Sequence, residues 1–149
     1  MTVAWSTVCR WSAARSLLTV ARAIAVLNPR GLPPRSGIEY IRFSSSSVVD
    51  KPSAGVAVRL TLAAGKETVE SARIVLGCVG ATPVRARKAE ALLTDKKVTA
   101  ELVEEAAVMA SQECSPTSDL RGSEYYKRAV VRTLVKRAAS KAYERALGN

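Results

Sequence analysis

The stretch ARIVLGCVGATPVRARKAEALL, residues 72–93, determines how the rest of the chain can be arranged. Residues 73–79 alternate and are rich in β-branched side chains, which predicts a half-buried strand. Gly77 and Gly80 allow the backbone to turn where a side chain would obstruct it. Thr82-Pro83 is a favourable helix start, because Thr caps free N–H groups and Pro has none to leave unpaired. The stretch therefore predicts a strand, a turn and a helix that runs from Pro83 to residue 93.

The residues before this unit predict the sheet that it joins. Ile38 to Phe43 alternates as a short strand, and Gly55 to Leu62 alternates with Val56, Val58, Leu60 and Leu62 on one face. Gly65 can supply the positive φ of a tight turn into a strand over residues 68–79. Three strands joined by short turns predict an antiparallel meander.

The residues after the unit predict helices that cover the sheet. Thr99 can cap a second helix that ends near Gln112, and Ser123 can cap a last helix from Glu124 to about Leu147. The apolar stripe of the last helix comprises Val130, Val131, Leu134, Val135, Ala138, Ala142 and Tyr143. The predicted fold class is α+β, a three-stranded antiparallel sheet packed against about three helices.

An atypical basic N-terminal segment, residues 1–37, precedes the predicted domain at 38–149. It carries five arginines and no acidic residue before Glu39. Such a composition is typical of an amphipathic transit peptide, although a surface helix or a misassigned start codon would also account for it. Residues 28–37 contain three prolines and two glycines, which predict a linker and the domain boundary.

Composition limits the possible chemistry. Hydrophobic residues make up 48% of the chain but aromatic residues only 5%, so Ala, Val and Leu must fill the core. The net charge of +10 suits an acidic partner, RNA or an anionic membrane surface. The charged helix residues, including Glu90 and Lys127, are typical of solvated faces. The basic residues are not interleaved with aromatic ones, so nucleic acid is not an expected partner.

The chain has no histidine and three widely separated cysteines, which excludes or disfavours several classes of catalytic and metal site. With no histidine, the chain cannot form Ser-His or Cys-His nucleophile pairs. Cys9, Cys78 and Cys114 lie far apart, which disfavours a metal site and fits a reducing, cytoplasmic location. Cys78 is interpreted as a small core residue of a strand. No membrane span is expected, because charges interrupt every apolar stretch.

The remaining motifs each have a functional and a structural interpretation. Gly77-x-x-Gly80 with Arg85 nearby suggests a phosphate loop, but neither common phosphate-binding motif is present, so a tight structural turn is the preferred interpretation of the glycines. The basic block from Arg85 to Lys88 is a solvated helix face or a subunit contact. Asp119 and Arg121 either dock a partner or close their own loop. We predict no catalytic residue and no metal site, and interpret the chain as a binding or accessory module.

Two motifs at the right separation resemble the C-terminal domain of the FAD-binding subunit of molybdenum hydroxylases. That family shows A-x-x-A-L-G-G-V-A-P-T-P-x-R-A and later D-x-R-G-S-x-x-Y-R. This chain matches the motifs at Leu76, Gly77, Val79, Thr82, Pro83, Arg85, Ala86, Asp119, Arg121, Gly122, Ser123 and Tyr126. The family includes carbon monoxide dehydrogenase, xanthine dehydrogenase and 4-hydroxybenzoyl-CoA reductase.

The resemblance implies a role beside FAD in an electron-transfer assembly. The family's partners are a FAD-binding domain, an iron–sulfur subunit and a molybdopterin subunit, through which electrons pass from molybdenum to the flavin. The family's segment Y-x-K-x-x-x-R-x-x-x-D runs past the flavin. Tyr40 and Asp50 match this segment. Arg42 stands where the family has Lys, and Ser46 stands where it has Arg. The resemblance also marks Arg85, Asp119 and Arg121 as subunit contacts.

The family's glycine-rich FAD-binding domain does not precede this domain in the sequence. We therefore expect an oxidoreductase accessory domain from a split or truncated gene, which binds no FAD and has no activity alone. The alternative is a basic stand-alone module that binds an acidic protein or nucleic acid.

Overall fold

The computed structural model describes residues 33–44 and 52–149. These form four strands, β1 (Ser36–Phe43), β2 (Ala54–Leu62), β3 (Val69–Gly77) and β4 (Val84–Arg85). They also form three helices, α1 (Arg87–Leu93), α2 (Ala100–Glu113) and α3 (Glu124–Gly148). The sheet is antiparallel throughout, with the strands in sequence order. The α+β class and the antiparallel meander are confirmed.

The strands form where the alternation of apolar side chains predicted them. Val56, Val58 and Leu60 of β2 are fully buried in the main core, on the face that we call inner. Gly65 adopts a φ of +67° in the turn between β2 and β3, as predicted. The strand β1 begins at Ser36, two residues earlier than the predicted strand. The proposed domain boundary at residue 37 stays a prediction, because residues 1–32 lie outside the described part.

The predicted start of the first helix was wrong. Val84 and Arg85 form a fourth strand that pairs with Leu76 and Val75 of β3, and α1 begins only at Arg87. The reason is that β3 would otherwise present an unpaired edge, and two residues of pairing cover part of it. Arg85 therefore belongs to the sheet, not to a helix face.

The helices cover the inner face in one layer. Helix α3 packs on β1 and β2, α1 packs on β3, and α2 packs on both of these helices. Thr99 and Ser123 cap α2 and α3 as predicted, accepting hydrogen bonds from the N–H groups of Leu102 at 3.3 Å and Tyr126 at 3.2 Å. Four alanines in the second half of α3 are buried, which lets helix and strands approach closely: Ala138, Ala139, Ala142 and Ala146.

The other face of the sheet, which we call outer, carries no helix of the described part. It presents Tyr40, Ala57, Arg59, Val75 and Arg85 among others, because successive strand residues alternate between faces. Ala57 and Val75 are nevertheless buried, at 1% and 2% exposure. No helix among the described residues is long and apolar enough to cross a membrane.

Candidate functional site

Three of the predicted site residues lie on the outer face of the sheet. The pairing register aligns Tyr40 with Ala57, Ala57 with Val75, and Val75 with Arg85, so these residues form one row across four strands. Arg42 lies two residues further along β1 on the same face. The structure thus brings Tyr40, Arg42 and Arg85 to one surface, which their sequence separation alone did not require.

Tyr40 is half-buried and packs on small side chains of β2 and β3. It packs against Ala57 and Val75 in a cluster separate from the main core. A Cβ atom at Gly55 would lie 3.1 Å from the Tyr40 hydroxyl oxygen, so glycine leaves the ring its room. Burial raises the pKa of Tyr40, nearby Cys78 adds to the rise, and Arg42 opposes it. Tyr40 is therefore a neutral phenol at physiological pH.

Arg85 is held by a carboxylate of its own chain. Its Nε and Nη2 atoms donate to the two Glu90 carboxylate oxygens at 2.9 and 2.8 Å. Glu90 also accepts from the backbone N–H of Ile74 at 2.9 Å. The hydrogen bond to Glu90 raises the pKa of Arg85 further. The interpretation of Glu90 as a solvated residue was wrong: it is 6% exposed, because it joins α1 to both strands beside it.

Sequence reasoning missed Arg59, the most deeply buried arginine described. Arg59 is 7% exposed, and its Nε atom is buried without a hydrogen-bond partner among the described residues. Arg59 is paired directly with Arg73 across β2 and β3. Burial lowers the pKa of Arg59, and the charges of Arg73 and Arg85 lower it further. Because strand residues alternate between the two faces, the position of Arg59 between Val58 and Leu60 places it on the outer face. No sequence pattern indicated that side chains on this face would be buried.

The glycine turn forms no phosphate cradle. The left-handed residue is Cys78, with a φ of +63°, and not Gly77 or Gly80. The N–H groups of Lys88 and Ala89 at the start of α1 donate to the Glu113 carboxylate at 3.1 Å. An internal carboxylate thus occupies the helix N-terminus, which supports the structural interpretation of the glycines. Cys78 is half-buried beyond the end of β3, so its assignment to the core of a strand was wrong.

The loop with Asp119 and Arg121 closes on itself. Asp119 Oδ1 accepts from the Arg121 N–H at 2.8 Å and from Lys127 Nζ at 2.8 Å. Lys127 Nζ also donates to the Thr117 carbonyl at 2.7 Å. Gly122, at a φ of +138°, completes the turn. The Lys127 hydrogen bond is the main reason that the pKa of Asp119 is lowered.

Lys127 is a second residue whose predicted exposure was wrong. It is only 3% exposed, because the loop folds over it and supplies its oxygen ligands. Leu120, at the tip of the same loop, is fully exposed. The loop therefore is rigid at its base and presents an apolar side chain at its tip. The Asp119–Arg121 pair is longer, at 3.6 Å, and leaves the Arg121 side chain partly accessible.

The loop lies at the end of the sheet where β1 ends and β2 begins. Ser53 Oγ donates to the Arg121 carbonyl at 3.4 Å, and the rings of Phe43 and Tyr126 meet edge to face at 6.4 Å. Asp50, predicted near the flavin, lies outside the described residues. Within the described ranges, no three His, Cys, Asp or Glu side chains come together as a metal site would require.

The model of the family described as CO dehydrogenase flavoprotein C-terminal domain matches residues 39–142 of this chain. The chain is 32% identical over 123 residues to the 6-hydroxypseudooxynicotine dehydrogenase complex subunit alpha of Paenarthrobacter nicotinovorans, covering 83% of this chain and 41% of that one. It is 38% identical over 96 residues to the carbon monoxide dehydrogenase medium chain of Hydrogenophaga pseudoflava, covering 64% of this chain and 33% of that one.

Solved structures show the same fold. Carbon monoxide dehydrogenase from Hydrogenophaga pseudoflava superposes with a TM-score of 0.73 at 36% identity, over 77% of this chain and 39% of that chain. The enzyme from Oligotropha carboxidovorans gives a TM-score of 0.70 at 28% identity, over 77% and 40%. The chain thus spans about two fifths or less of the length of these relatives. The fold, the two motifs and the match over residues 39–142 together show that this chain belongs to the CO dehydrogenase flavoprotein C-terminal domain family.

Proposed function

We propose that the chain is an accessory domain of a flavoprotein subunit in a molybdenum-hydroxylase-type oxidoreductase, where it contributes packing and subunit contacts. The family match over residues 39–142 carries this proposal. The site geometry supports it, because Glu90, Asp119 and Lys127 all serve internal hydrogen bonds. We assign no chemical step of the reaction to this chain.

The flavin would be bound mainly by another part of such a subunit. The helix N-terminus that could face a pyrophosphate already binds Glu113. Tyr40 and Arg42 offer one aromatic ring and one cation on the outer face, which can border a flavin but cannot enclose it. When bound, FAD would accept and pass on electrons. The described residues do not form a complete binding site for it. We therefore expect no FAD binding by this chain alone.

The proposed partners are a FAD-binding domain, an iron–sulfur subunit and a molybdopterin subunit. The loop around Asp119 is suited to such a contact, because its base is fixed by hydrogen bonds and Leu120 and Arg121 project from it. A preorganised loop loses little conformational entropy on binding. Arg85 keeps 38% of its side-chain surface exposed, so an outer edge of the guanidinium remains available beside Glu90.

The test is co-purification of the chain with a separately expressed FAD-binding domain and iron–sulfur subunit, followed by a flavin absorbance scan. We expect a stable complex of the three proteins with the yellow absorbance of bound flavin. A folded chain that associates with neither partner would contradict the proposal. Saturable micromolar quenching of FAD fluorescence by the chain alone would contradict the expectation that it needs a partner for flavin.

Loop variants sharpen this test. Leu120→Ser and Arg121→Ala should weaken the complex at least tenfold while leaving thermal stability unchanged, because both side chains project from the loop. Arg137→Ala, on an exposed position of α3, is the control for loss of one positive charge. Equal affinity of the loop variants and the control would exclude the loop as a contact.

The positive charge of the outer face also allows a test of the alternative function, a stand-alone basic module. A basic module for an acidic protein or a nucleic acid would bind through exposed cations of this face, such as Arg42. Salt-sensitive association with generic RNA or DNA, without binding to flavoprotein subunits, would favour that alternative.

A further inference from the structure

A groove of about 460 Å³ runs between α2 and α3 and opens to solvent. From Tyr125 to Lys136 it follows α3 for about three turns, roughly 16 Å of helix. The groove-lining residues of α3 have the three- and four-residue spacing of one helix face. They are Tyr125, Arg128, Ala129, Arg132, Thr133 and Lys136. Glu104 and Ser111 of α2 form the opposite wall, and we call this surface the helix groove.

Two cations of the helix groove share one carboxylate. Arg132 Nε donates to Glu104 Oε1 at 2.5 Å, and Lys136 Nζ lies 2.5 Å from Glu104 Oε2. The side chains of Arg132 and Lys136 remain 52% and 49% exposed. Arg128, nearer the start of α3, pairs with Glu124 of its own helix. The groove therefore carries an excess of positive charge, and half of the surface of two cationic side chains is accessible to a further carboxylate.

Small residues lie between these cations on the surface of α3. Ala129 and Thr133 are exposed and one helical turn apart. The Thr133 hydroxyl donates to the Ala129 carbonyl at 3.1 Å, so this polar group already has an acceptor. Because the side chains at a contact set how closely another element can approach a helix, this part of α3 leaves room for a second chain.

Tyr125 lies at one end of the helix groove. It is 84% exposed, the most exposed aromatic residue of the described part of the chain. Tyr and Arg are enriched among the residues that contribute most to the energy of protein interfaces. An exposed tyrosine beside Arg128 and Arg132 is therefore suited to contact with a protein.

The carboxylates among the cations favour a protein over a nucleic acid. A nucleic-acid backbone carries a negative charge at every phosphate, so it would meet Glu104 and Glu124 as well as the cations. A protein segment can place single carboxylates opposite Arg132 and Lys136 and an apolar side chain against Tyr125. The charge pattern of the groove is thus complementary to separate carboxylates, not to a continuous line of negative charge.

We propose that the helix groove is a docking site for an acidic segment of a partner protein. Its carboxylates are bound by Arg132 and Lys136, and an apolar side chain packs on Tyr125. Because the two cations are one helical turn apart, a helical segment with two carboxylates at the same spacing matches them. The inference goes beyond the proposed function, since it involves none of the residues assigned above to subunit contacts.

The first test measures binding to the full chain. A peptide of five Glu-Leu-Ala-Ala repeats places carboxylates one helical turn apart with leucines beside them. It is titrated into the 15N-labelled chain at low salt, and we expect saturable shifts of the backbone amides of Ala129, Arg132 and Thr133. Absence of saturable shifts at these amides, or equal shifts with the matched peptide in which Gln replaces Glu, would overturn the proposal.

A pair of charge variants locates the site. Arg132→Gln combined with Lys136→Gln should weaken binding of the Glu peptide at least tenfold, because both proposed carboxylate ligands are lost. Lys66→Gln combined with Lys96→Gln removes the same charge at exposed positions outside the groove and should change the affinity by less than about twofold. Far-UV circular dichroism should show both double variants folded. A similar loss of affinity in both would show general attraction to a basic chain and overturn the proposal.

Tyr125→Ser tests the apolar contact while leaving every charge in place. Since Tyr125 is largely exposed, the thermal midpoint should not change, whereas the affinity for the Glu peptide should fall at least threefold. Unchanged affinity would overturn the assignment of Tyr125 to the docking site.

A further probe decides the class of partner. A 20-nucleotide single-stranded DNA that shifted the same amides at lower concentration than the Glu peptide would overturn the choice of a protein. The outcome is also distinguishable from that of the co-purification test. Peptide binding in the groove without a flavoprotein complex would support the docking site and contradict the proposed function, whereas a flavoprotein complex without peptide binding would do the reverse.

Discussion

At the scale of single residues, two buried charges fix the geometry of this domain. Glu90 connects α1 to Arg85 on β4 and to the backbone of β3, and Lys127 connects α3 to the loop before it. Both were expected among solvated helix residues. Each is buried with its hydrogen-bond partners in place, which is the condition under which a buried charge is tolerated. Such residues position backbone segments that apolar contacts alone would leave free to slide.

Replacement of Glu90 by glutamine should destabilise the domain by about 1–3 kcal/mol, because a neutral amide replaces the buried carboxylate to which Arg85 and the Ile74 N–H donate. The measurement is the free energy of unfolding in urea. Glu105→Gln, at an exposed position of α2, is the matched control and should change it by less than about 0.5 kcal/mol. Equal effects of the two substitutions would show that the Glu90 hydrogen bonds contribute nothing.

Asp119 should make stability depend on pH in the acid range. Its pKa is lowered in the folded chain, mainly by the Lys127 hydrogen bond. Its contribution is therefore complete above the pKa of an unfolded Asp, about 3.9, and is lost as the pH falls through the lower pKa of the folded state. Urea midpoints between pH 2 and 7 should fall more steeply for the native chain than for Asp119→Asn. Asp95→Asn, an exposed control, should retain the native slope.

At the scale of elements, the contact between β1 and α3 depends on a residue without a side chain. Gly37 lies under the last turns of α3, and an added Cβ would collide with the Ala142 carbonyl oxygen and lie 2.8 Å from the Ala146 nitrogen. The end of α3 is further held to β1 by Asn149, whose side chain donates to the Ser36 carbonyl at 3.1 Å. The prolines and glycines of residues 28–37 predicted a linker that includes Gly37. Composition does not reveal that the backbones of β1 and α3 approach closely at this residue.

Gly37→Ala should cost about 1–3 kcal/mol, because the backbone of α3 must move away from β1. Hydrogen exchange of the last turns of α3 should accelerate at the same time. Gly148→Ala introduces the same methyl group with nothing within 4 Å and serves as the control. Unchanged stability and exchange in Gly37→Ala would contradict the close packing of β1 and α3.

At the scale of the whole molecule, one core joins the inner face of the sheet to all three described helices. It is built from small and medium aliphatic side chains, as the low aromatic content predicted. Leu76, one residue before the end of β3, is paired with Val56 and Val84 on its two neighbouring strands and is fully buried. Because every described element contributes to or borders this core, loss of packing at one point should weaken all of them together.

Leu76→Ala should lower the free energy of unfolding by about 2–5 kcal/mol through lost burial and a residual cavity. Leu120→Ala, the same substitution at a fully exposed residue, should change it by less than about 0.5 kcal/mol. Far-UV circular dichroism and tyrosine fluorescence should report one coincident transition. Separate transitions, or a similar effect at both leucines, would contradict a single core.

The sequence by itself determined the strand and helix order, the inner-face residues of β2, the caps Thr99 and Ser123, and the family motifs. These depend on local chemistry, because alternation, helical spacing and capping are properties of neighbouring residues. Only the tertiary structure decided that Val84 and Arg85 close the sheet edge and that Glu90, Lys127 and Arg59 are buried. Burial and pairing depend on which distant segment packs over a residue, and no local pattern encodes that.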